Sequence, residues 1–199
     1  MNRLSMKIVS ILFPSFAKEL STLDFLYKRA TKRLRELESV DIKNKLLMKC
    51  IKSANEIVER EYVFLGIEKT KLDQLVLVYM MDLGDSIDIY VACPYSGHKM
   101  VQLFADLKAN EKRMFIADIQ CAEDDTSRGY GSVALNHLIR IAKTKRISRI
   151  SGQISSTDWE HVDRLKYFYG KHGFRVILNE ATKSGRILWD RLDSQEKKL

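Results

Sequence analysis

Ser127-Arg128-Gly129-Tyr130-Gly131-Ser132-Val133-Ala134-Leu135 is the stretch on which the reading of this chain turns. Two glycines bend the backbone, and an apolar-periodic run begins at once, predicting a helix over about Gly131–Thr144 with Val133, Leu135, Leu138, Ile139 and Ala142 on one side. Directly ahead lies Arg113–Cys121, which reads as a strand. A strand, a glycine turn and a helix start leave the helix's first N–H groups unpaired at its positive end, a ready seat for an anion. Glycine lets a phosphate approach with no Cβ in the way, and Arg128 and Ser132 can add donors.

Other glycine turns do the same, so position in the chain has to choose among them. Gly129, Gly131 and Ala134 satisfy G-x-G-x-x-A, the dinucleotide fingerprint, which belongs after the first strand of a doubly wound sheet. Here it sits two-thirds of the way along, too late for the remaining strands and crossovers of that fold. A P-loop fails because no Gly-Lys-Ser/Thr follows.

The deciding partner is Phe168-Tyr169-Gly170-Lys171-His172-Gly173-Phe174. Together the two segments resemble the signatures of the GNAT superfamily of acyl-CoA N-acyltransferases. Thr126, Ser127, Arg128, Gly129, Tyr130 and Gly131 fall on the Q/R-x-x-G-x-G/A pyrophosphate motif, with Thr126 where Gln or Arg is usual. Phe168, Tyr169, Gly173 and Phe174 fall on F-Y-x-x-x-G-F, and the resemblance covers about residues 86–192.

That resemblance implies an acetyl-CoA site, with no metal, between two parallel strands that splay apart, Arg113–Cys121 and Ile147–Ile154. Backbone groups of Ile119, Gln120 and Cys121 would hold the pantetheine in the manner of an added strand. The segment Thr126–Ser132 would hold the pyrophosphate, and Tyr169 would protonate the departing thiolate. Tyr167, about 200° round the helix from Tyr169, should not share that role. A base for the amine is open among Asp118, Glu123, Asp124 and Asp125, with Asp118 and Glu123 leading. Alternation along the strand puts Asp118 on the same face as Ile116 and Gln120. The oxyanion donor would be a backbone N–H near Ile119–Cys121. His172, at a helix end, reads as a histidine favoured by the dipole; His161 and Asp158 read as surface or supporting groups.

The rest of the pattern fits a mixed α/β fold: a mostly antiparallel sheet with helices on both faces. From about Leu20 to Arg60 the chain is helical, with Leu23, Leu26, Ala30, Leu34 and Leu37 in register. Ser39 or Asp41 could cap a second helix there, so two helices are expected in preference to a single rod of about 60 Å. Strands are expected at Gln74–Met81, Ser86–Cys93, Met100–Leu107 and Arg113–Cys121, joined by short turns suited to antiparallel neighbours. After the glycine helix come a strand at Ile147–Ile154, a helix at Glu160–Lys171, and strands Phe174–Leu178 and Arg186–Arg191. This organisation reads as a single domain, with residues 1–80 a helical elaboration and 86–192 the catalytic part.

Composition bounds the remaining choices. Net charge is +8, concentrated in residues 1–60, which carry 13 Lys/Arg against 7 Asp/Glu. That end could meet RNA, ribosome or a protein partner, the alternative being a non-catalytic binding module. Mixed signs and the lack of interleaved aromatics do not favour a nucleic-acid platform. Cys50, Cys93 and Cys121 are widely spaced with no CxxC pair, which argues against zinc or a disulfide framework and for a reducing compartment. The opening Met1–Ala17 has Pro14 in its apolar stretch and no A-x-A site, so it reads as a first strand or short helix of a cytoplasmic protein, monomer or homodimer. The acceptor amine stays open among antibiotics, polyamines, ribosomal N-termini and protein lysines.

Overall fold

The computed structural model describes residues 14–94, 98–121 and 127–191, and for 14–21 the backbone alone. Met1–Met48 and Lys49–Leu199 form two compact units. Of the first, the described part is helix α1, Pro14–Glu59, which runs on into the second as one element of 46 residues. The expected break at Ser39 or Asp41 is not there. No Gly or Pro interrupts the chain between residues 15 and 59. Ser39 Oγ donates back to the Glu36 carbonyl at 2.7 Å, and Asp41 takes Lys45 at 2.7 Å, one turn on. Both would-be caps are therefore absorbed as ordinary helix residues. The stripe of Leu23, Leu26, Leu34 and Leu37 is exposed within its unit. No helix among the described residues is long and apolar enough to cross a membrane.

In the second unit α1 ends where Glu61 turns left-handed at φ 65° and Tyr62 N donates to the Ile57 carbonyl. Eight strands follow: β1 Val63–Lys69, β2 Leu75–Asp82, β3 Ser86–Ala92, β4 Lys99–Lys108, β5 Arg113–Cys121, β6 Arg149–Ile154, β7 Arg175–Asn179 and β8 Ser184–Asp190. Helix α2, Tyr130–Thr144, connects β5 to β6, and a 3₁₀ turn Ser156–His161 leads into α3, Val162–Lys171. The strands form one sheet in the order β1-β2-β3-β4-β5-β6-β8-β7. All neighbours are antiparallel except β5 and β6. A mixed, mostly antiparallel sheet with one parallel pair is the expected architecture.

Alternation assigns the two faces. In β3, Ile87, Ile89 and Val91 enter the main core with Val76, Val78, Leu103 and Ala105, and α2 covers them with Leu135, Leu138 and Ala142. Burying each of those leucines contributes about 1.5–3 kcal/mol. On the opposite face Tyr79, Tyr90 and Ala92 pack against Ile57 of α1 and Tyr62. The three tyrosine rings interlock, Tyr79 stacked on Tyr90 with centroids 5.1 Å apart and Tyr62 edge-on to both.

Candidate active site

Only Arg113–Ile116 of β5 pair with β6, against Arg149–Gly152. Beyond Ile116 the two strands part, which is the splay expected at this pair. Gly152, in the last paired position, leaves little room for a side chain there. A Cβ on it would lie 2.9 Å from Ile187 Cδ1 and 3.2 Å from the Ile116 carbonyl oxygen.

A β-bulge sits at the same point. Ala105 of β4 faces Ile116, but Phe104 faces Asp118, so Ala117 is the extra residue. The bulge reverses the alternation. Ile116 is buried in the main core, and Ile119 and Cys121 pack against that core, whereas Asp118 and Gln120 are exposed. Asp118 therefore lies on the face opposite Ile116, contrary to simple alternation, and stays with Gln120, whose Nε2 donates to Asp118 Oδ2 at 2.9 Å.

Alongside the splay runs a groove of about 210 Å³. One wall is Ile119 and Cys121 of β5, and one end is Ser127, Gly129, Tyr130, Gly131 and Ser132. Gly129 caps α2 at φ 99°, the left-handed conformation that suits glycine, and its carbonyl accepts the Val133 N–H at 3.2 Å. The Cβ position of Gly131 lies 3.5 Å from the Phe168 ring. The structure thus brings most of the expected coenzyme residues together. Gln120 points to the other face, and exposed Arg128 is not part of the groove wall. Thr126 and Glu123, with Asp124 and Asp125, lie outside the described residues.

Three cations complete the groove: Lys71 from the turn between β1 and β2, and Arg164 and Lys171 from α3. Arg164, Phe168 and Lys171 follow helical spacing, so the sequence carried a signal for the last two once Phe168 was singled out. Lys71 had none, since only the tertiary fold brings it beside Gly129. Partial burial and the nearby Lys71 charge hold the Lys171 ammonium below its ordinary pKa. Cations held close together with no carboxylate among the described lining residues make a seat for a polyanion.

Tyr169 is 8% exposed, packed against Phe168 and Phe174, and is not part of the groove wall. Burial, then the charges of Asp158 and Asp118, push its phenol up to about 12. Its phenol is therefore neutral at every physiological pH, within the fields of carboxylates from both sides of the splay. Asp158 is fixed by the capping box of the 3₁₀ turn, its Oδ2 accepting the Ser155 hydroxyl at 2.7 Å. Tyr167 is 72% exposed and lines the groove, with Lys171 Nζ over its ring. His172 departs from its expected role. Burial, then the Lys171 charge, lower it to about 4, so it is neutral and these effects outweigh the favour of the helix dipole for a cation. Its Nδ1 donates to Asn136 Oδ1 at 3.0 Å, tying the end of α3 to α2.

A mixed sheet opened at one parallel pair, with a glycine-started helix at the opening, is the GNAT acyltransferase fold. The GNAT domain of S. lividans PAT matches with a TM-score of 0.53 at 10% identity, covering 63% of this chain and 96% of that one. The cAMP-binding acyltransferase of Mycobacterium smegmatis matches with a TM-score of 0.54 at 10% identity, covering 72% and 52%. At such identities the likeness is one of fold. No protein-family model matches the sequence. The chain belongs to the same family as the uncharacterized protein YocC of Bacillus subtilis (strain 168), to which it is 34% identical over 128 residues, 63% of this chain and 74% of YocC.

Proposed function

We propose that the protein is an N-acetyltransferase that moves an acetyl group from acetyl-CoA to a primary amine. The observation that carries this reading is the coincidence, just beyond Ile116, of three features: the end of β5–β6 pairing, the bulge that turns Asp118, and a groove from Ile119 and Cys121 to the first turn of α2.

The N–H groups of Gly129–Ser132 and the charges of Lys71, Arg164 and Lys171 suit a pyrophosphate and a further phosphate. Unpaired backbone of Ile119–Cys121 suits the pantetheine amides, and a backbone N–H there suits the oxyanion. The amine attacks the thioester carbonyl, and its proton leaves to Asp118, directly or through water. As the C–S bond breaks, the Tyr169 hydroxyl gives its proton to the sulfur, regaining one from solvent between turnovers. Only a phenol that stays protonated can play this part, and burial keeps Tyr169 protonated. On this reading a single catalytic domain draws Lys71 from the N-terminal portion into its coenzyme site.

Acetyl-CoA titrated calorimetrically into the full chain should bind, and free thiol should appear when a panel of primary amines is added. Folded protein that shows no heat and no thermal stabilisation at millimolar coenzyme would sink the proposal. Coenzyme binding without thiol release, across amines and after Tyr169→Phe alike, would leave a binding module.

A further inference from the structure

On the sheet face opposite α2 lies a second cavity, of about 530 Å³, that coenzyme chemistry does not use. Its floor includes Leu77 and Tyr79 of β2 and Ala92 of β3. Those alternate with Val76, Val78 and Val91, which belong to the core under α2, so cavity and coenzyme groove are on different sides of the sheet. Its wall is the end of α1 and the turn after it, where Lys49, Lys52, Glu56 and Arg60 recur at three- and four-residue steps.

Three cations and one carboxylate thus stand on this one wall, among the described residues that line the cavity. Lys52 and Arg60 are exposed and neither is held in an ion pair among the described residues. Tyr79 is a second, independent sign. It is only 6% exposed, and its hydroxyl has no hydrogen-bond partner among the described residues. The ring is held by Tyr62 and Tyr90, and the cavity is the space it lines. Arg60 and Tyr79 line the same cavity, and burial raises the phenol above its ordinary value while the Arg60 charge pulls it down. The hydroxyl itself is not sealed from solvent, so it is placed to donate to a group that enters the cavity.

We propose that this cavity binds a small organic anion, an apolar or aromatic body carrying a phosphate or carboxylate head. Lys52 and Arg60 take the charge, and the Tyr79 O–H donates to an anion oxygen. Leu77, Ala92 and the Tyr62 ring cover the body. A volume of about 530 Å³ is that of a small-molecule site, and an inorganic ion alone would leave the apolar floor wet.

Calorimetric titration of the full chain with phenyl phosphate, benzoate and phenol tests this. At least one of the two anions should bind, with phenol weaker by about tenfold or more, and the better anion names the head group. Lys52→Ala with Arg60→Ala should weaken binding by about tenfold or more, since each removes a charge-assisted contact. Tyr79→Phe should weaken it by roughly three- to tenfold. Lys71→Ala with Lys171→Ala, in the coenzyme groove, should leave it unchanged. Should the cavity pair fail to fold, as judged by circular dichroism, Lys52→Gln and Arg60→Gln taken singly give the same reading. The proposal is overturned if neither anion binds, if phenol binds as well as they do, or if the loss follows Lys71 and Lys171 instead.

Discussion

The hydroxyl of Tyr130 donates to Gln74 Oε1 at 2.7 Å, joining the first turn of α2 to the turn between β1 and β2. The bond spans 56 residues of sequence and links the glycine motif to a segment outside both recognised signatures. Its consequence lies three residues upstream of Gln74. Lys71 packs on Gly129, its Cγ 3.2 Å and its backbone N 3.3 Å from where a Cβ would stand. The absent side chain of Gly129 is the space in which Lys71 sits, so the glycine serves the cation as well as the turn.

Tyr130→Phe removes that one bond. Gln74 is exposed and rehydrates, so the stability loss in urea should be about 0.5–1.5 kcal/mol. Coenzyme affinity should fall several-fold because Lys71 is no longer held to the loop, while turnover at saturating coenzyme changes little. Unchanged affinity would mean that Lys71 keeps its place without the tether.

Lys71→Ala and Lys171→Ala should each weaken coenzyme binding by about three- to tenfold, the low end for a charge-assisted contact because both residues are exposed and screened. The salt dependence of binding should flatten in each variant. Binding that keeps its wild-type salt slope would place the phosphates elsewhere.

Gly152→Ala tests the opening itself. The added methyl meets Ile187 Cδ1 at 2.9 Å and the Ile116 carbonyl at 3.2 Å, and a backbone carbonyl gives way less easily than a side-chain end. Overpacking of this kind costs about 1–3 kcal/mol. Thermal unfolding should register that loss, and coenzyme affinity should fall with it because Ile116 marks where the strands part. A variant of wild-type stability would show that β6 yields freely.

The sequence carried the order of elements from Leu75 onward because its strands are apolar runs bounded by turns rich in Asp, Gly and Asn. It did not carry β1. Val63-Phe64-Leu65-Gly66-Ile67-Glu68-Lys69 contains a bulge between Phe64 and Gly66, so its apolar residues lose period two. The same device hid the orientation of Asp118. Ala117 fits either face, and only pairing with β4 reveals it as the inserted residue. In α1 the cap-forming residues Ser39 and Asp41 were visible, but nothing local told that they would bond within a continuing helix. Motifs fixed by backbone conformation, such as Gly129 and Gly131, were legible from residue type. Side chains delivered by distant segments, such as Lys71 and Gln74, were not.

Tyr169 joins the two halves of the candidate mechanism, and its ionisation can be followed apart from activity. In the folded chain its proton is held up to about 12, whereas an unfolded tyrosine releases it near 10. Between those values the unfolded chain binds fewer protons, so stability is intact below about pH 10 and falls as pH rises toward 12. Each such group contributes a slope of at most about 1.4 kcal/mol per pH unit. Tyr90, also raised to about 12, adds a second share, from burial and then the Asp88 charge. Tyr169→Phe should therefore show a shallower alkaline loss of stability than the wild type, with the Tyr90 share retained. Coenzyme affinity should be nearly unchanged and turnover lower by about 10²–10⁴, the usual worth of a positioned acid. Equal losses of affinity and turnover would make Tyr169 a packing residue, and an unaltered alkaline slope would mean that its phenol titrates as an ordinary one.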